Sequence, residues 1–303
     1  MNRRALITLL GGAAAAWPLA ARAKQPERMR RIGVLMYWAA DDAEGQTRVS
    51  AFAQGLNQLG WSDGRNLTMI VTSTIPAALA AKAATSTIPI VFNVAADPVE
   101  VGLVASLARP GGNATGVNNF VAELGAKQLG LLHELVPSAR HIGLLANPTN
   151  PNFESVTKDV VAAAPAIGAQ IDIARASDNH TIEAAFATLF RNRADALVVG
   201  ADPFFTSRRV QLAILAMRYA IPTVYQLREY AEAGGLMSYG TSLAEAYRQL
   251  AVYTSRILKG ANPSDLPVIQ LAKFELVINL PTARAFGLDI PPTLLTVADE
   301  VIE

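Results

Sequence analysis

The stretch His141-Ile-Gly-Leu-Leu145 decides the fold class, because it opens a series of short apolar runs that alternate with longer segments of helical spacing. The next runs cover residues 169–173, 196–199 and 221–225, and the helical segments cover residues 152–167, 180–192 and 206–219. Continuous apolar strands that are separated by helices are typical of parallel sheets covered on both faces. This part of the chain is therefore expected to form a doubly wound α/β sheet.

The same alternation continues towards the amino terminus. Apolar runs at 31–36, 67–71 and 88–92 alternate with helical segments at 47–60, 76–84, 98–108 and 122–135. The loop Pro110-Gly-Gly-Asn-Ala-Thr-Gly116 separates the two series, and Ala233-Gly-Gly235 ends the second. Because a chain of 303 residues is also long for one core, we expect two α/β lobes.

The glycine-rich breaks predict where the chain crosses between the lobes, near 117–120 and 235–238. The expected first lobe comprises residues 30–117 and 237–262, and the second comprises residues 120–235 and 263–290. Residues 291–303 are expected to form a C-terminal tail.

The first 23 residues look like a twin-arginine export signal. Arg3 and Arg4 supply a positive n-region, residues 6–19 form a short apolar core, and Ala21-Arg22-Ala23 is a small-x-small cleavage site. Cleavage there would leave a mature chain that begins near Lys24. A membrane anchor is the alternative, but an apolar run of about 14 residues is shorter than the roughly 20 that a spanning helix needs. We therefore expect a protein of the periplasm.

Composition excludes several classes of function. Three of the 26 basic residues and none of the 25 acidic ones lie in residues 1–23, so the remaining chain is slightly acidic and no affinity for nucleic acid is implied. The absence of cysteine excludes disulfides, thiolate catalysis and iron–sulfur or zinc–thiolate sites. Beyond residue 23 no uncharged run reaches about 18 residues, so membrane insertion of the mature chain is not expected.

Polar residues stand where the predicted strands end, and Asp97 and Asp202 each lie between a strand and a proline. Ligands of open parallel sheets bind outside these ends, where helix N-termini attract anions. Each residue has a structural alternative as an N-cap or turn residue, and proline after aspartate is also typical of the first helical position. Their recurrence at one edge nevertheless favours a ligand site. The residues concerned are Ser73, Thr74, Asn93, Asp97, Asn147, Asp202 and Tyr225.

The motifs of common enzyme classes are missing. The run at 31–36 is not followed by G-x-G-x-x-G, and the chain has no P-loop, G-x-S-x-G or H-E-x-x-H motif. Three histidines lie in different predicted elements and do not resemble a metal site; they are His133, His141 and His180. If Trp38, Phe204 and Tyr225 faced one cleft, they would form a stacking surface for a planar solute.

Five segments carry a family resemblance. They read Arg31-Ile-Gly-Val-Leu-Met36, Thr85-Ser-Thr-Ile-Pro-Ile-Val-Phe92, Ser106-Leu-Ala-Arg-Pro-Gly-Gly-Asn113, Gly234-Gly-Leu-Met-Ser-Tyr-Gly240 and Lys273-Phe-Glu-Leu-Val-Ile-Asn279. Together they resemble the ABC-transporter substrate-binding proteins with the type I periplasmic-binding fold, in the branch with tryptophan- and tyrosine-binding members. By position, the ligand contacts of such a protein fall on the loops that contain Thr74, Asn93, Asp97, Asn118, Asn147, Asp202, Tyr225 and Tyr239.

The resemblance implies two lobes joined by three crossing segments, with a solute held between them. It implies a periplasmic receptor that captures its solute by hinge closure and docks on an ABC permease, and it implies no catalytic residue, metal or organic cofactor. An amino acid suits helix N-termini for its carboxylate and Asp97 or Asp202 for its amine. Two alternatives stay open: a periplasmic partner of a membrane sensor, and an exported enzyme whose nucleophile–base pair the sequence does not show.

The chain departs from this family in one place. Family members carry about one more strand–helix unit between Gly64-Arg-Asn-Leu67 and Ser73, so the first lobe is expected to be short by one unit. Residues 67–71 run almost directly into the next helix, as if two strands had been fused. If this strand took the inner place beside the first strand, right-handed crossovers would require the first helix to change faces. If it stayed at the edge, the sheet would have a gap and Thr74 would miss the cleft. We therefore hypothesise a weakened first lobe and impaired solute binding.

Overall fold

The computed structural model of the chain describes residues 31–36, 43–60, 67–119, 124–271 and 273–303. The export signal expected at 1–23 and the side chain of Trp38 lie outside the described residues. The strands are β1 (Arg31–Leu35), β2 (Leu67–Thr72), β3 (Ile90–Val94), β4 (Ala114–Asn118), β5 (His141–Ala146), β6 (Gln170–Arg175), β7 (Ala196–Val199), β8 (Thr223–Tyr225), β9 (Met237–Thr241), β10 (Ile269–Gln270), β11 (Phe274–Asn279) and β12 (Glu300–Ile302). The helices are α1 (Ala43–Gln58), α2 (Ile75–Ala84), α3 (Leu124–Leu135), α4 (Phe153–Ala163), α5 (Asn179–Arg191), α6 (Pro203–Ser207), α7 (Arg209–Arg218), α8 (Arg228–Glu232), α9 (Leu243–Leu258), α10 (Leu280–Ala285) and α11 (Pro292–Val297).

The first lobe is built on a five-stranded parallel sheet in the order β1–β2–β3–β4–β10. Successive strand residues point to opposite faces, so Val71 and Val91 pack with α1 and α9, while Ile90 and Phe92 pack with α2. All four side chains are buried. Because helices cover both faces, the strands read as continuous apolar runs in the sequence.

The second lobe is built on a seven-stranded sheet in the order β12–β11–β9–β8–β7–β5–β6. Its strands are parallel except at the β9–β11 pair. Two apolar cores cover its faces: one contains Leu144 and Val198, and the other contains Phe186 and Val199. The two sheets confirm the expected α/β class with two doubly wound, mainly parallel lobes.

The strand β2 takes the inner place in the first sheet. It lies between β1 and β3 and pairs with both, so β1 forms an edge and the sheet has no gap. The arrangement with a gap, in which Thr74 would miss the cleft, is therefore not formed.

The first two crossovers of this sheet lie on opposite faces. The chain advances in one direction from β1 through β2 and β3 to β4, so three right-handed connections would put α1, α2 and residues 98–108 on one face. Leu103 and Val104 do lie on the face of α2, but α1 lies on the opposite face with α9. The first helix has therefore not changed face, and the connections through α1 and α2, which advance in the same direction, have opposite hands and cannot both follow the right-handed rule.

The lobe boundaries differ from the expected ones at three strands. β9 lies in the segment 237–262 expected in the first lobe, yet it pairs with β8 and β11. β10 lies in the segment 263–290 expected in the second lobe, yet it pairs with β4. In the segment expected to be a tail, β12 extends the second sheet beside β11. The apolar pattern of a short strand does not say which sheet it joins, and this explains the differences.

Candidate functional site

A cavity of about 480 Å³ lies between the two lobes. Its walls come from residues that follow β2 and β3 in the first lobe and β5, β7 and β8 in the second. These are the carboxyl ends of parallel strands, where such sheets bind their ligands. The volume falls within the range of about 300–1,000 Å³ that is typical of small-molecule sites.

Asp202 brings a carboxylate to the second-lobe wall, with only 4% of the residue exposed. Its Oδ2 accepts hydrogen bonds from the side-chain amides of Asn147 at 3.1 Å and Asn150 at 2.6 Å. Its Oδ1 accepts a hydrogen bond from the backbone N–H of Phe205 at 3.1 Å and so caps α6. The N-cap role that the sequence offered as an alternative is therefore present, and it leaves the carboxylate on the cavity wall.

The environment of Asp202 makes its charge costly. Burial raises the pKa of this carboxyl above its ordinary value of 3.8, and the hydrogen bonds from Asn150, Phe205 and Asn147 oppose the rise only in part. A buried carboxylate is stabilised by a positively charged partner. A ligand ammonium group at this wall would supply that partner.

The first-lobe wall contains the start of α2. Thr74 caps this ten-residue helix by accepting a hydrogen bond from the backbone N–H of Ala77 at 3.3 Å. Pro76 has no N–H and the N–H of Ala77 is used by the cap, so the N–H of Ile75 and the partial positive charge of the helix N-terminus are what this end of α2 offers an anionic group. Ser73 Oγ, Asn93 Oδ1 and Asn119 Oδ1 are buried beside the cavity without a hydrogen-bond partner. Buried polar atoms are normally paired, so these three atoms are candidates to bind a solute.

Aromatic and aliphatic side chains line the rest of the cavity. Phe204 lies next to Phe205, with ring centroids 5.8 Å apart, and the guanidinium of Arg208 lies 5.5 Å from the centre of its ring. Tyr247 extends from α9 of the first lobe and is almost fully buried. The aliphatic lining residues include Ile75, Leu124, Leu227 and Leu243. Such walls suit a ligand with an apolar or aromatic body.

Polar contacts between described residues join the lobes near the cavity. Arg48 of α1 donates a hydrogen bond from its guanidinium to Oε1 of Glu229 in α8 at 3.1 Å, forming an ion pair. The side-chain amide of Asn152, at the start of α4, donates to the backbone carbonyl of Ala95 after β3 at 3.0 Å. Arg48 and Ala95 belong to the first lobe, and their partners belong to the second. The structure is therefore a closed arrangement of the lobes.

The cavity brings together half of the site residues that the sequence predicts. The residues that line it are Thr74, Asn93, Asn147 and Asp202, two from each lobe. They confirm the expectation that strand ends of both lobes face one cleft. Their contact with a solute stays a prediction.

The other four predicted residues are not in the cavity lining. Asp97 accepts a hydrogen bond from the backbone N–H two residues further on at 2.8 Å, as in the turn alternative. Asn118 is buried within β4. Tyr225 is fully buried and stacks on another tyrosine with ring centroids 4.6 Å apart. Tyr239 stacks on a phenylalanine of β11 with ring centroids 5.6 Å apart.

Several lining residues were missed by sequence reasoning. Asn119 and Gln226 line the cavity, and each stands one residue beyond a predicted site residue. Neighbouring residues of an extended chain point in opposite directions, so an error of one residue in a strand end exchanges the lining residue for its neighbour. Arg48 lies in the middle of α1, where no strand-end signal marks it. Of the two predicted stacking residues that the structure describes, Phe204 is in the lining and Tyr225 is not.

The described residues offer little to a metal ion. In these segments no group of three or more His, Cys, Asp or Glu side chains is placed to hold one. The three histidines belong to three different elements: His133 to α3, His141 to β5 and His180 to α5. Among the described helices, none has the length and apolar character that crossing a membrane requires.

Comparison with known proteins identifies the family. Residues 35–302 match the family model of the ABC transporter substrate binding proteins. The match covers most of the chain, and the chain belongs to this family. The fold that the resemblance implied, two α/β lobes around a cleft, is therefore confirmed, and the family is one of binding receptors rather than enzymes.

Relatives of known structure or name agree with this assignment. The chain is 27% identical over 227 residues to a tyrosine-binding protein of Clostridioides difficile; the match covers 75% of this chain but 64% of the relative, just under two thirds of its length. A structure of an ABC domain in complex with L-Trp from Streptococcus pneumonia has a TM-score of 0.80 at 24% identity and covers 90% of this chain and 100% of its own. A ligand-free, open structure of a substrate-binding protein with adhesive properties from Clostridium difficile has a TM-score of 0.66 at 23% identity. It covers 90% of this chain and 99% of its own.

Proposed function

We propose that the chain is a periplasmic receptor that binds an amino acid with an aromatic or large apolar side chain and delivers it to an ABC permease. One observation carries the proposal: the cavity has a carboxylate at Asp202 on one wall, the N-terminus of α2 behind Thr74 on the other, and apolar side chains around them. A zwitterion with an apolar body complements all three features.

The two charged groups of an amino acid have complementary partners in the cavity. The ammonium group would compensate the buried carboxylate of Asp202, whose pKa burial raises. The carboxylate would accept hydrogen bonds from the backbone N–H of Ile75 at the start of α2 and from the hydroxyl of Ser73, since Pro76 has no N–H and that of Ala77 donates to Thr74. Asn93 and Asn119 supply further buried oxygens for ligand N–H groups.

The named relatives support the same class of solute. One relative is named a tyrosine-binding protein, and one structural neighbour is in complex with L-Trp. In this chain, Phe204 and Tyr247 are the aromatic side chains of the lining that suit such a ligand.

Hinge closure is the proposed mechanism of capture. The cavity takes walls from both lobes, so a bound solute contacts both only when the lobes are closed, and its differential affinity shifts the population to that state. The segment at 1–23 would direct export, and the closed form would then dock on the permease.

The experiment is isothermal titration calorimetry of the chain from Lys24 with L-tyrosine and L-tryptophan. Tyramine, which lacks the carboxylate, and 3-(4-hydroxyphenyl)propionate, which lacks the amine, are matched analogues of tyrosine. We expect at least one of the two amino acids to bind. The analogues should bind at least about 100-fold more weakly than tyrosine if tyrosine is bound, because each leaves a buried polar partner unpaired.

Two results would contradict the proposal. In the first, neither aromatic amino acid nor any other natural amino acid binds. In the second, tyramine or the deaminated acid binds as tightly as tyrosine, which would remove the assigned role of one wall.

A further inference from the structure

An ion pair joins the two lobes beside the cavity, and the geometry points to a role in closure. Arg48 lies on α1 and lines the cavity from the first lobe, while Glu229 lies on α8 of the second lobe. The guanidinium and the carboxylate are 3.1 Å apart, and their side chains are 5% and 20% exposed. Their positions in the chain are 181 residues apart, so only the packing of one lobe on the other brings them together.

We infer that Arg48 and Glu229 form a latch that favours the closed arrangement of the lobes before and after solute binding. The latch deepens the proposed function, because the event that it regulates is capture and release of the solute at the same cavity. Arg48 and Glu229 are positioning residues, since they act by holding the cavity walls together.

The latch follows from a difference between the two states. In the closed state the pair is largely shielded from solvent, where opposite charges attract more strongly than in water. Hinge opening separates the lobes, so the pair breaks and the carboxylate of Glu229 becomes more hydrated. An interaction present in one state alone shifts the equilibrium towards that state. Salt should weaken the latch through the exposed fraction of the carboxylate.

The neighbouring charges on α8 provide a matched control. Glu232 lies on the same short helix and pairs with Arg228 at 2.9 Å within the second lobe. Removing its charge changes α8 by the same chemistry as removing that of Glu229, but it breaks no contact between lobes. Glu229→Gln and Glu232→Gln therefore separate a latch from a general effect on the helix.

The first test is small-angle X-ray scattering of the solute-free chain from Lys24. Glu229→Gln should increase the radius of gyration, and Glu232→Gln should leave it unchanged. Far-UV circular dichroism checks that each variant is folded. Identical scattering of the wild type and a folded Glu229→Gln variant would overturn the inference.

The second test is the dissociation rate of L-tyrosine or L-tryptophan by stopped-flow fluorescence. Glu229→Gln should raise this rate about 5- to 30-fold, as expected when one partner of a shielded pair is removed. In an Arg48→Gln background the same change should have no further effect, because the pair is already absent. An equal effect in both backgrounds would contradict the latch. The scattering test uses no solute, so it decides the latch even if neither amino acid binds.

Discussion

At the scale of single residues, Asp202 combines a structural and a proposed chemical role. It caps α6 through the backbone N–H of Phe205 and accepts two amide hydrogen bonds from Asn147 and Asn150, yet it remains on the cavity wall. These contacts fix the position of the carboxylate before any solute arrives. Pre-positioning of this kind lowers the cost of ordering the site when ligand binds.

Replacing Asp202 by asparagine should separate the two roles. Asparagine keeps the N-cap through its single side-chain oxygen, but its NH2 group cannot accept the hydrogen bonds from Asn147 and Asn150, so the free energy of unfolding should fall by about 1–3 kcal/mol. The affinity for an amino acid should fall about 10- to 100-fold, because a hydrogen bond to a charged partner is lost. Calorimetric titration and a thermal melt measure the two effects.

The control is Asp178→Asn, because Asp178 caps α5 through the N–H of Thr181 at 2.7 Å on an exposed surface. This variant should keep full affinity. Unchanged affinity in Asp202→Asn would remove the carboxylate from the site.

The dependence of binding on pH should report the same carboxylate. Because burial raises the pKa of Asp202 above 3.8, its protonation begins at a higher pH than for an exposed aspartate. The neutral acid no longer attracts an ammonium group, so affinity should fall as the pH decreases through the raised pKa. Calorimetry between about pH 4 and 7 measures the effect.

The stability contribution of Asp202 should change in the opposite direction. A carboxyl whose folded-state pKa is raised holds its proton more tightly in the folded chain, so its contribution to the free energy of unfolding increases as the pH falls. In Asp202→Asn both pH effects of this group should be absent. A wild-type affinity that follows the same pH profile as Asp202→Asn would contradict the assignment.

The search for polar residues at strand ends predicted the cavity lining to within one residue at several positions. It found Thr74, Asn93, Asn147 and Asp202, since each follows an apolar run that ends visibly in the sequence. It chose Asn118 and Tyr225, whereas the next residue in each case lines the cavity. The direction of a side chain depends on the register of the strand, and a single sequence does not fix that register at a strand end.

At the scale of elements, the first sheet depends on a close approach between β3 and β4. A Cβ atom added at Gly116 of β4 would lie 2.0 Å from the carbonyl oxygen of Phe92, its partner in β3. Backbone atoms cannot move away without breaking the pairing of the two strands. Glycine at this position is therefore required by packing.

Gly116→Ala should destabilise the protein by about 3 kcal/mol through overpacking, and the loss should be confined to the first lobe. Gly130→Ala is the matched control, because Gly130 lies in α3 with no atom within 4 Å of the added Cβ. That change should stabilise the chain by about 0.4–1 kcal/mol. Urea unfolding measures both. A Gly116→Ala variant as stable as the wild type would refute the packing argument.

The alternation of strands and helices was readable from the sequence, but the order of strands was not. The apolar run at residues 67–71 is compatible with an edge strand and with an inner strand, because strands in either place of a covered sheet can be apolar. The structure puts β2 inside and leaves β1 at the edge, where Val34 and Leu35 are partly exposed. The choice depends on how α1 packs against α9, a contact between segments about 200 residues apart.

At the scale of the whole molecule, function depends on two lobes that each fold and then close on a solute. The first sheet has five strands without a gap, and Thr74 reaches the cavity. The weakened first lobe that the short connection suggests stays a prediction. Since both lobes supply cavity walls, a first lobe that failed to fold would also abolish binding.

A thermal melt of the chain from Lys24, with and without L-tyrosine or L-tryptophan, addresses folding and binding together. A solute at 100 times its dissociation constant stabilises the folded state by about 2.7 kcal/mol, which should raise the melting temperature by about 5 °C or more. We predict a cooperative melt that one of these amino acids shifts upward. A cooperative melt that no amino acid shifts would contradict the proposed receptor, and the absence of a cooperative transition would show that the first lobe does not support a site.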